Sequence, residues 1–408
     1  MRVLHVISTL EPGGAESQLR LLVRRTPYDS EVVTLGAAAR LDVPVHRIPS
    51  GRDHDPGAVR RLRRLMRDGR YDLVHTHLHR ACVQGRIAAR LAGVPHIVAT
   101  EHHLDDPSSA LYRLGERLGQ VTIAPSPAAA GRLRSWGVPD RRIVTIPKAI
   151  DPAEFRFDPI LRAAARARLG IDAGQPVIGS VGRLAPDRRV DLLIRAIAEV
   201  PDAVLLLAGD GPARADLERL AEIVGVAGRV RFAGAVGHPR ETLCALDVFA
   251  SPDQSTFGLA TLEAVAAGLP AVYGSCVPLE ERAAARTPVD GTHRLSQDRE
   301  SLPRALRAEL LCLAERRGDR LPARSAGERY DATHLADAVR RLYEQVAARP
   351  VRRFIGPPPW HRGRFATSGR IGAAGRSGAS GRIGAPGRLG RFGRRSSFPR
   401  PGGNVRNA

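Results

Sequence analysis

The chain is poor in several residue types that mark common classes of protein. Among its 408 residues it has 4 cysteines and 2 tryptophans, and of 63 basic residues only Lys148 is a lysine. No uncharged apolar run approaches the roughly 18 residues that a membrane-spanning helix needs. The cysteines form no C-x-x-C pair, which argues against a disulfide scaffold and against a zinc site. These absences predict a soluble, cytosolic protein with reduced thiols.

Positive charge is abundant but unevenly distributed along the chain. The net charge is +21, and residues 350–408 carry 13 arginines and no acidic residue. Gly-Arg recurs in this tail with a period of 6 residues from position 363 to position 393. A glycine-rich segment with few apolar groups cannot offset its ordering entropy, so we expect a disordered tail. Two interpretations stay open: a tandem expansion without a role, and electrostatic binding to polyanions or an anionic membrane.

Short β-branched runs alternate with amphipathic helical stretches along the first 349 residues. A first series includes "RVLHVIS", "DLVHTH" and "IVTIP", and a second series after residue 171 includes "PVIGSVG", "AVLLLAG" and "DVFAS". The chain is longer than one hydrophobic core usually supports. We predict an α/β fold of two doubly wound Rossmann-like domains that face a cleft, residues 1–150 and 151–349, followed by the tail 350–408.

The loop after the first predicted strand, "TLEPGGAESQ", holds Gly13 and Gly14 just before a helix. Glycines at that position let the phosphates of a ligand approach the backbone N–H groups at the positive end of the helix. The loop lacks the G-x-G-x-x-G spelling, and no acid follows a second strand at the ribose-binding position. The sequence therefore argues against a nicotinamide dehydrogenase.

The predicted second domain offers a stronger set of polar groups in its strand-to-helix loops. Two guanidinium groups can neutralise a diphosphate, the N–H groups of a helix can bind its oxygens, and a carboxylate can accept two hydroxyls of a ribose. The candidates for these roles are Arg183, Arg188, the helix start Phe257-Gly258-Leu259, and Glu263. They predict a nucleoside-diphosphate site, although solvated loop arginines and a capping or ion-paired glutamate stay open as alternatives.

Six segments resemble, in order and spacing, the family 4 glycosyltransferases of the GT-B fold. They are "HVISTLEPGGAE", "DLVHTHLHRACVQGRIAARLAGVPHIVATEHH", "GRLAPDRRVDLL", "AGDGPARADLERLA", "VRFAG" and "FGLATLEAVAAGLP". The resemblance covers about residues 1–345. It implies transfer of a sugar, with retention of anomeric configuration, from a nucleotide-diphosphate donor that serves as co-substrate. It implies no metal and no other cofactor.

The resemblance also implies roles for individual residues. Glu263 matches the glutamate that holds the donor ribose, Arg183 matches the diphosphate arginine, and Arg188 stands where the family usually has lysine. His102 matches the histidine over the donor sugar and the reaction centre, with a loop histidine as the alternative. We expect His102, Arg183 and Arg188 to be catalytic. The expected donor-binding set is Gly13, Gly14, Arg183, Arg188, Ser255, Phe257, Gly258, Leu259 and Glu263. His75 and His77 are expected to support strand ends.

Three positions depart from the family pattern. Ser255 replaces the first glutamate of the motif, Lys148-Ala149 replaces Asn-Gly in "IPKAID", and residues 273–281 lack a glycine pair. These departures leave open a catalytically impaired sugar-nucleotide-binding or scaffold protein. Binding of polyanions through the tail is another alternative, and an epimerase that acts on a nucleotide sugar is a less favoured one.

Two remaining segments concern metals and acceptors. Asp53-His54-Asp55 has the D-x-D spelling of metal-dependent transferases, but the following Pro56 and helix favour an N-cap. The segment "PGAVRRLRRLMRDGR" predicts an amphipathic helix with an arginine-rich face. That face either is simply solvated or docks on anionic lipids of the inner leaflet, which would suit a glycan or lipid-linked acceptor in polysaccharide or glycolipid synthesis. Nucleic acid is expected to bind only through the tail.

Overall fold

The computed structural model describes residues 1–52, 54–102, 110–254, 257–296, 298, 300–323 and 327–349. In these ranges, no helix combines the length and the apolar character that a bilayer span requires. Asp53, Ser255 and the tail 350–408 lie outside the described residues, so the predictions that concern them stay predictions.

The first half of the chain forms a seven-stranded parallel sheet with the order β3-β2-β1-β4-β5-β6-β7. Its strands are β1 (Arg2–Ile7), β2 (Asp29–Thr34), β3 (Val45–Arg47), β4 (Leu73–His77), β5 (His96–Thr100), β6 (Val121–Ala124) and β7 (Ile143–Thr145). Its helices are α1 (Gly14–Arg25), α2 (Pro56–Gly69), α3 (His79–Ala92), α4 (Ala110–Glu116) and α5 (Pro127–Ser135).

The second half forms a six-stranded parallel sheet with the order β10-β9-β8-β11-β12-β13. Its elements are α6 (Pro159–Arg168), β8 (Val177–Val181), α7 (Val190–Ala198), β9 (Val204–Ala208), α8 (Arg214–Ile223), β10 (Val230–Gly234), α9 (Arg240–Ala245), β11 (Val248–Ser251), α10 (Leu259–Ala266), β12 (Ala271–Tyr273), α11 (Val277–Ala284), β13 (Thr292–Arg294) and α12 (Ser301–Glu315). The two predicted doubly wound sheets are confirmed, but β13 was missed because its "THR" sequence is short and polar.

Strand order brings the candidate loops to one edge of each sheet. The order reverses between β1 and β4 in the first sheet and between β8 and β11 in the second. The carboxyl ends of the strands beside such a reversal open a crevice where ligands bind. The loops after β1, β8 and β11 carry Gly13 and Gly14, Arg183, and Gly258 respectively. The topology therefore gathers residues that are far apart in sequence.

Helices cover both faces of the first sheet, which explains why its strands read as continuous apolar runs. Alternate residues of a strand point to opposite faces. Val3 accordingly packs in a core with Leu22, whereas its neighbour Leu4 packs in a separate core with Leu62 and Met66 of α2.

The last described helix, α13 (Ala332–Ala347), packs on the first sheet. Val339 and Tyr343 lie in the same core as Val3. The segment before α13 lies beside the segment that connects the two halves, where the N–H of Ile150 donates to the carbonyl of Tyr330 at 3.0 Å. We assigned this helix to the second domain from the sequence, and its packing on the first sheet was not anticipated. The domain boundaries at residues 150 and 349 stay predictions.

A buried ionic cluster fixes α6 to the second sheet. The two carboxylate oxygens of Asp247 accept hydrogen bonds from Arg162 and Arg166, each at 2.7 Å, and Oδ2 also accepts from the N–H of Val177 at 2.8 Å. The side chains of Arg166 and Asp247 are only 3% and 5% exposed. Because both charges are buried and bonded, removing Asp247 would leave the buried guanidinium of Arg166 without its anion.

We expect the substitution Asp247→Ala to lower the free energy of unfolding by about 3–5 kcal/mol, because it leaves a buried guanidinium without its anion. Urea denaturation checks this value. Asp216→Ala is the matched control, since it removes the exposed partner of Arg219 and should change the stability little. Equal losses for the two variants would contradict the structural role given to Asp247.

Candidate functional site

The backbone that carries Arg183 is held by the neighbouring loop. The N–H of Gly182 donates to the carbonyl of Ala208, and the N–H of Leu184 donates to that of Asp210, both at 2.9 Å. Gly209, with φ +144°, permits this contact, because a Cβ atom there would lie 1.8 Å from the carbonyl oxygen of Gly182. The Arg183 side chain is 60% exposed and has Asp187 3.5 Å away. An exposed guanidinium thus extends from a fixed loop.

Arg188, in a short 3-10 turn (Pro186–Arg188), is held more tightly. Its Nη1 atom lies 3.3 Å from Oδ2 of the buried Asp253, which also accepts from the hydroxyl of Ser251 at 2.7 Å. The Nε atom of Arg188 is buried and has no hydrogen-bond partner in the described part of the chain. A buried donor without an acceptor is costly, so this atom marks a place where a ligand oxygen or water would fit.

Helix α10 begins at the edge of the second sheet without a side-chain cap. Its N-cap residue, Gly258, has φ +83°, and a Cβ atom there would lie 2.6 Å from Sγ of Cys276. Only glycine fits both the left-handed backbone and this close contact. Because no side chain caps the first turn, its N–H groups are available to an anion.

Glu263 lies one turn inside α10 and is 7% exposed. Within the described residues its carboxylate makes no hydrogen bond or ion pair. Burial raises its pKa to about 8, and repulsion from Glu154 adds to the shift. The predicted contact of Glu263 with a ribose stays a prediction.

The two halves of the chain meet at the glycine loop before α1. A Cβ atom on Gly14 would lie 3.5 Å from Cδ2 of Leu259 and 4.0 Å from Nζ of Lys148. The Lys148 amine also lies 6.0 Å from the ring centroid of Phe257. Helix α1, whose N-cap is Gly13, begins without a side-chain cap. The helix starts of both halves therefore lie around the same lysine.

His102 belongs to a chain of buried histidines. Its Nε2 atom lies 3.3 Å from Nδ1 of His77, whose Nε2 lies 3.1 Å from Nδ1 of His5. Burial lowers the pKa of His5 to about 3, and that of His77 lies well below its usual value. His75 is bonded to the hydroxyls of Tyr343 and Thr100 at 2.5 and 2.7 Å. Nitrogens of His5, His75 and His77 lie close enough for a metal, but these internal bonds occupy both nitrogens of His75 and His77.

His77 is the last residue of β4, as expected from the sequence, whereas its contact with His102 was not predicted. The pairing of strands brings the histidines of this chain together, because β1 and β4 are parallel neighbours with His5 opposite His75. Asp55 was interpreted correctly as an N-cap, since its side chain accepts from the N–H of Ala58 at 3.0 Å and Pro56 opens α2.

The described contacts bring together some predicted site residues but not all. They join Gly14, Lys148, Phe257 and Leu259, while a separate ion pair holds Arg188. Among the described residues, no side-chain hydrogen bond or ion pair joins Arg183 or Glu263 to this group, and His102 bonds to His77. Ser255 lies outside the described residues.

Comparison with known proteins gives the family. A model of Glycosyltransferase Family 4 matches residues 12–154, and a model of Glycosyl transferases group 1 matches residues 175–315. The chain belongs to the family 4 glycosyltransferases.

Two curated relatives show how far this likeness extends. The GDP-mannose-dependent alpha-(1-6)-phosphatidylinositol monomannoside mannosyltransferase of Mycolicibacterium smegmatis is 33% identical over 245 residues, 54% of this chain and 63% of that protein. The D-inositol 3-phosphate glycosyltransferase of Mycobacterium tuberculosis is 30% identical over 321 residues, 71% of this chain and 64% of that protein. The chain thus spans less than two thirds of the length of these relatives.

Solved structures share the GT-B fold of this chain. The Anabaena protein HepE in complex with UDP-glucose superposes with a TM-score of 0.70 at 22% identity and covers 85% of this chain and 100% of its own. WaaG, a glycosyltransferase involved in lipopolysaccharide biosynthesis, superposes with a TM-score of 0.60 at 19% identity and covers 85% of this chain and 98% of its own. At these identities the likeness establishes the fold alone.

Replacing Glu263 should change how stability depends on pH. Its pKa is higher in the folded state than in the unfolded chain, so the wild type loses stability as the pH rises from about 4.5 to 8. Glu263→Gln removes that loss. We expect the variant to match the wild type near pH 5 and to exceed its free energy of unfolding by roughly 2–4 kcal/mol near pH 8.5.

Denaturation with urea at the two pH values checks this expectation. The exposed residue Glu222 gives the control Glu222→Gln, which should leave the pH dependence unchanged. A difference between Glu263→Gln and the wild type that is the same at both pH values would show that the carboxylate is not held at a raised pKa.

Proposed function

We propose that the protein transfers a sugar from a nucleoside-diphosphate donor to an acceptor hydroxyl with retention of anomeric configuration. The observation that carries the proposal is Glu263, a buried carboxylate without a partner among the described residues, one turn inside an uncapped helix. Its two oxygens can bond the two neighbouring hydroxyls of a ribose: both accept when the group is ionised, and one donates when it is protonated. A bound nucleotide would thus satisfy a group that the protein itself leaves unsatisfied.

The diphosphate would be held by Arg183, Arg188 and the first N–H groups of α10. Guanidinium groups bind phosphate oxygens in pairs, and the N-terminus of a helix adds partial positive charge. Arg188 is already oriented by Asp253 and has an unused Nε–H group, whereas Arg183 is exposed and free to close on a ligand. The exposed Arg183 extends from a backbone that the β9 loop holds in place.

In the proposed reaction the bond between the sugar C1 atom and the diphosphate oxygen breaks, and the diphosphate leaves with the electron pair. The acceptor oxygen bonds to C1 on the same face, and its proton passes to the leaving phosphate oxygen. The transition state resembles an oxocarbenium ion, so the main task of the protein is to stabilise charge on the leaving group with fixed dipoles and cations. Two guanidinium groups supply that charge without a metal ion. His102 and the loop with Gly13 and Gly14 would contact the donor sugar.

The relatives suggest which substrates to test. The Mycolicibacterium smegmatis enzyme is named for GDP-mannose, and HepE was solved with UDP-glucose, so both nucleotides belong in a donor panel. Acceptors named for relatives are phosphatidylinositol monomannoside, D-inositol 3-phosphate and 2-deoxystreptamine. We infer a cytosolic role in glycolipid or cell-surface polysaccharide synthesis.

Helix α2 supports an acceptor at the membrane surface. Ala58, Leu62 and Met66 are buried, whereas five arginines on the remaining surface are exposed: Arg60, Arg61, Arg63, Arg64 and Arg67. A helix with a cationic exposed face binds anionic lipid headgroups.

We expect the protein to float with vesicles that contain anionic lipid and not with vesicles of neutral lipid. The triple variant Arg60→Gln, Arg64→Gln, Arg67→Gln should lose at least half of this binding, because each basic residue near the surface contributes about 1 kcal/mol. Vesicle flotation measures it, with Arg195→Gln as a control for net charge. Undiminished flotation of the triple variant would assign membrane binding to another surface.

Arg183→Ala should lower sugar transfer at least about a hundredfold, because a group that stabilises charge in the transition state is lost. Transfer is measured by product mass over the donor and acceptor panels, and circular dichroism checks that the variant is folded. Arg195→Ala, an exposed arginine on α7, is the matched control. Unchanged transfer by Arg183→Ala would overturn the phosphate assignment. Donor binding without transfer in the wild type would favour the catalytically impaired protein instead.

A further inference from the structure

Lys148 occupies a fixed position in the segment that connects the two halves. It is the only lysine among 63 basic residues. The next residue, Ala149, is held by Gln18 of α1, whose amide donates to the Ala149 carbonyl at 2.7 Å and accepts from its N–H at 2.9 Å. The lysine side chain therefore extends from a fixed backbone. A lysine at this position runs against the preference of this chain for arginine.

The surroundings of the Lys148 amine contain cations and an aromatic ring but no paired acid. Nζ lies near Gly14 and the Phe257 ring, and Arg188 is close enough to act on it electrostatically. Within the described residues, no carboxylate forms an ion pair with this half-buried amine. Burial and the Arg188 charge lower its pKa to about 8. Two cations thus share one region, in which Asp253 pairs with Arg188 and no described carboxylate pairs with Lys148.

The same region receives positive charge from the backbone. Helix α1 starts at Gly14, and neither α1 nor α10 has a side-chain cap. Each uncapped helix start adds partial positive charge to the two side-chain cations. Gly14 has no side chain, so a ligand oxygen can approach the Lys148 amine from the side of the α1 loop. An anion of at least two charges would satisfy these groups together.

We propose that Lys148 is a phosphate-binding residue, whose amine contacts an oxygen of the donor diphosphate together with Arg188. The inference rests on the proposed function for its ligand, a nucleoside diphosphate. It adds a third cation, from the connecting segment, to the two loop arginines. Its place between α1 and α10 makes the diphosphate a bridge between the halves of the chain.

Binding of UDP and GDP at pH 7 and pH 9, measured by isothermal titration calorimetry, tests the proposal. Lys148→Met should weaken binding about tenfold or more at pH 7, since it removes one charged hydrogen bond. The wild type should lose about tenfold in affinity between pH 7 and pH 9 as the amine deprotonates. Lys148→Arg should bind tightly at both values, and Arg195→Met controls for the loss of one positive charge.

The single lysine allows a direct measurement of the amine itself. Reductive methylation with ¹³C-formaldehyde labels only Lys148 and the terminal amine, and the spectrum of Lys148→Arg identifies the latter. We expect the labelled lysine to titrate near pH 8 and its pKa to rise by about one unit or more with UDP or inorganic pyrophosphate. A pKa that does not move with saturating UDP would overturn the proposal.

A third measurement separates binding from a purely structural role. If Lys148 serves packing, replacing it lowers the stability of the protein. If it is a cation buried beside another cation, replacing it raises that stability. Lys148→Met should therefore unfold at a higher urea concentration than the wild type at pH 7. Lower stability together with unchanged UDP affinity would assign Lys148 a structural role and overturn the proposal.

The outcomes also separate this inference from the proposed function. If UDP and GDP bind the wild type and Lys148→Met equally, the Lys148 proposal fails while the transferase proposal stands. If neither nucleotide binds the wild type but pyrophosphate raises the lysine pKa, the anion site stands and the proposed donor is wrong.

Discussion

Positive charge that the protein neutralises only in part is the constraint around which the candidate site is built. The first turns of α1 and α10 have no side-chain caps, and the Lys148 amine lies beside both. Asp253, the acid paired with Arg188, is itself bonded to Ser251. The parallel topology produces this arrangement, since helices that follow strands present their N-termini at the carboxyl edge of the sheet. A diphosphate is the ligand whose charge matches it.

Two buried acids elsewhere in the described part of the chain have bonded partners, unlike Glu263. Asp247 binds two arginines and a backbone N–H group, and Glu309 accepts from His293 at 2.6 Å. Glu263 and Lys148, in contrast, lie buried or half-buried without an opposite charge bonded to them in the described residues. Both carry pKa shifts caused mainly by burial. Groups held in unfavourable surroundings cost stability, and proteins keep them where a ligand compensates.

Local sequence predicted the fold better than the site. Runs of β-branched residues identified the strands, because both faces of a parallel sheet are buried. Strand β13 was not predicted, because "THR" on an edge strand has no such run. The packing of α13 could not be read from its pattern, since an apolar stripe does not specify its sheet. Glu263 and Arg183 were singled out by their positions in or just after strand-to-helix loops, and the family resemblance implied their roles. The position of Lys148 depends on how Gly14 packs against α10, a contact that no local pattern encodes.

The histidine chain connects the end of β5 to the packing of α13. His75 bonds to Thr100, two residues before His102, and to Tyr343 in the core of α13. A neutral imidazole has one N–H group, so His77 can donate to His5 or to His102 but not to both. Its low pKa keeps it neutral, and the tautomers along the chain are therefore coupled. His102 is thus oriented by His77 from inside the first sheet. Helix α13, which follows the second half, supports the end of β5 through His75.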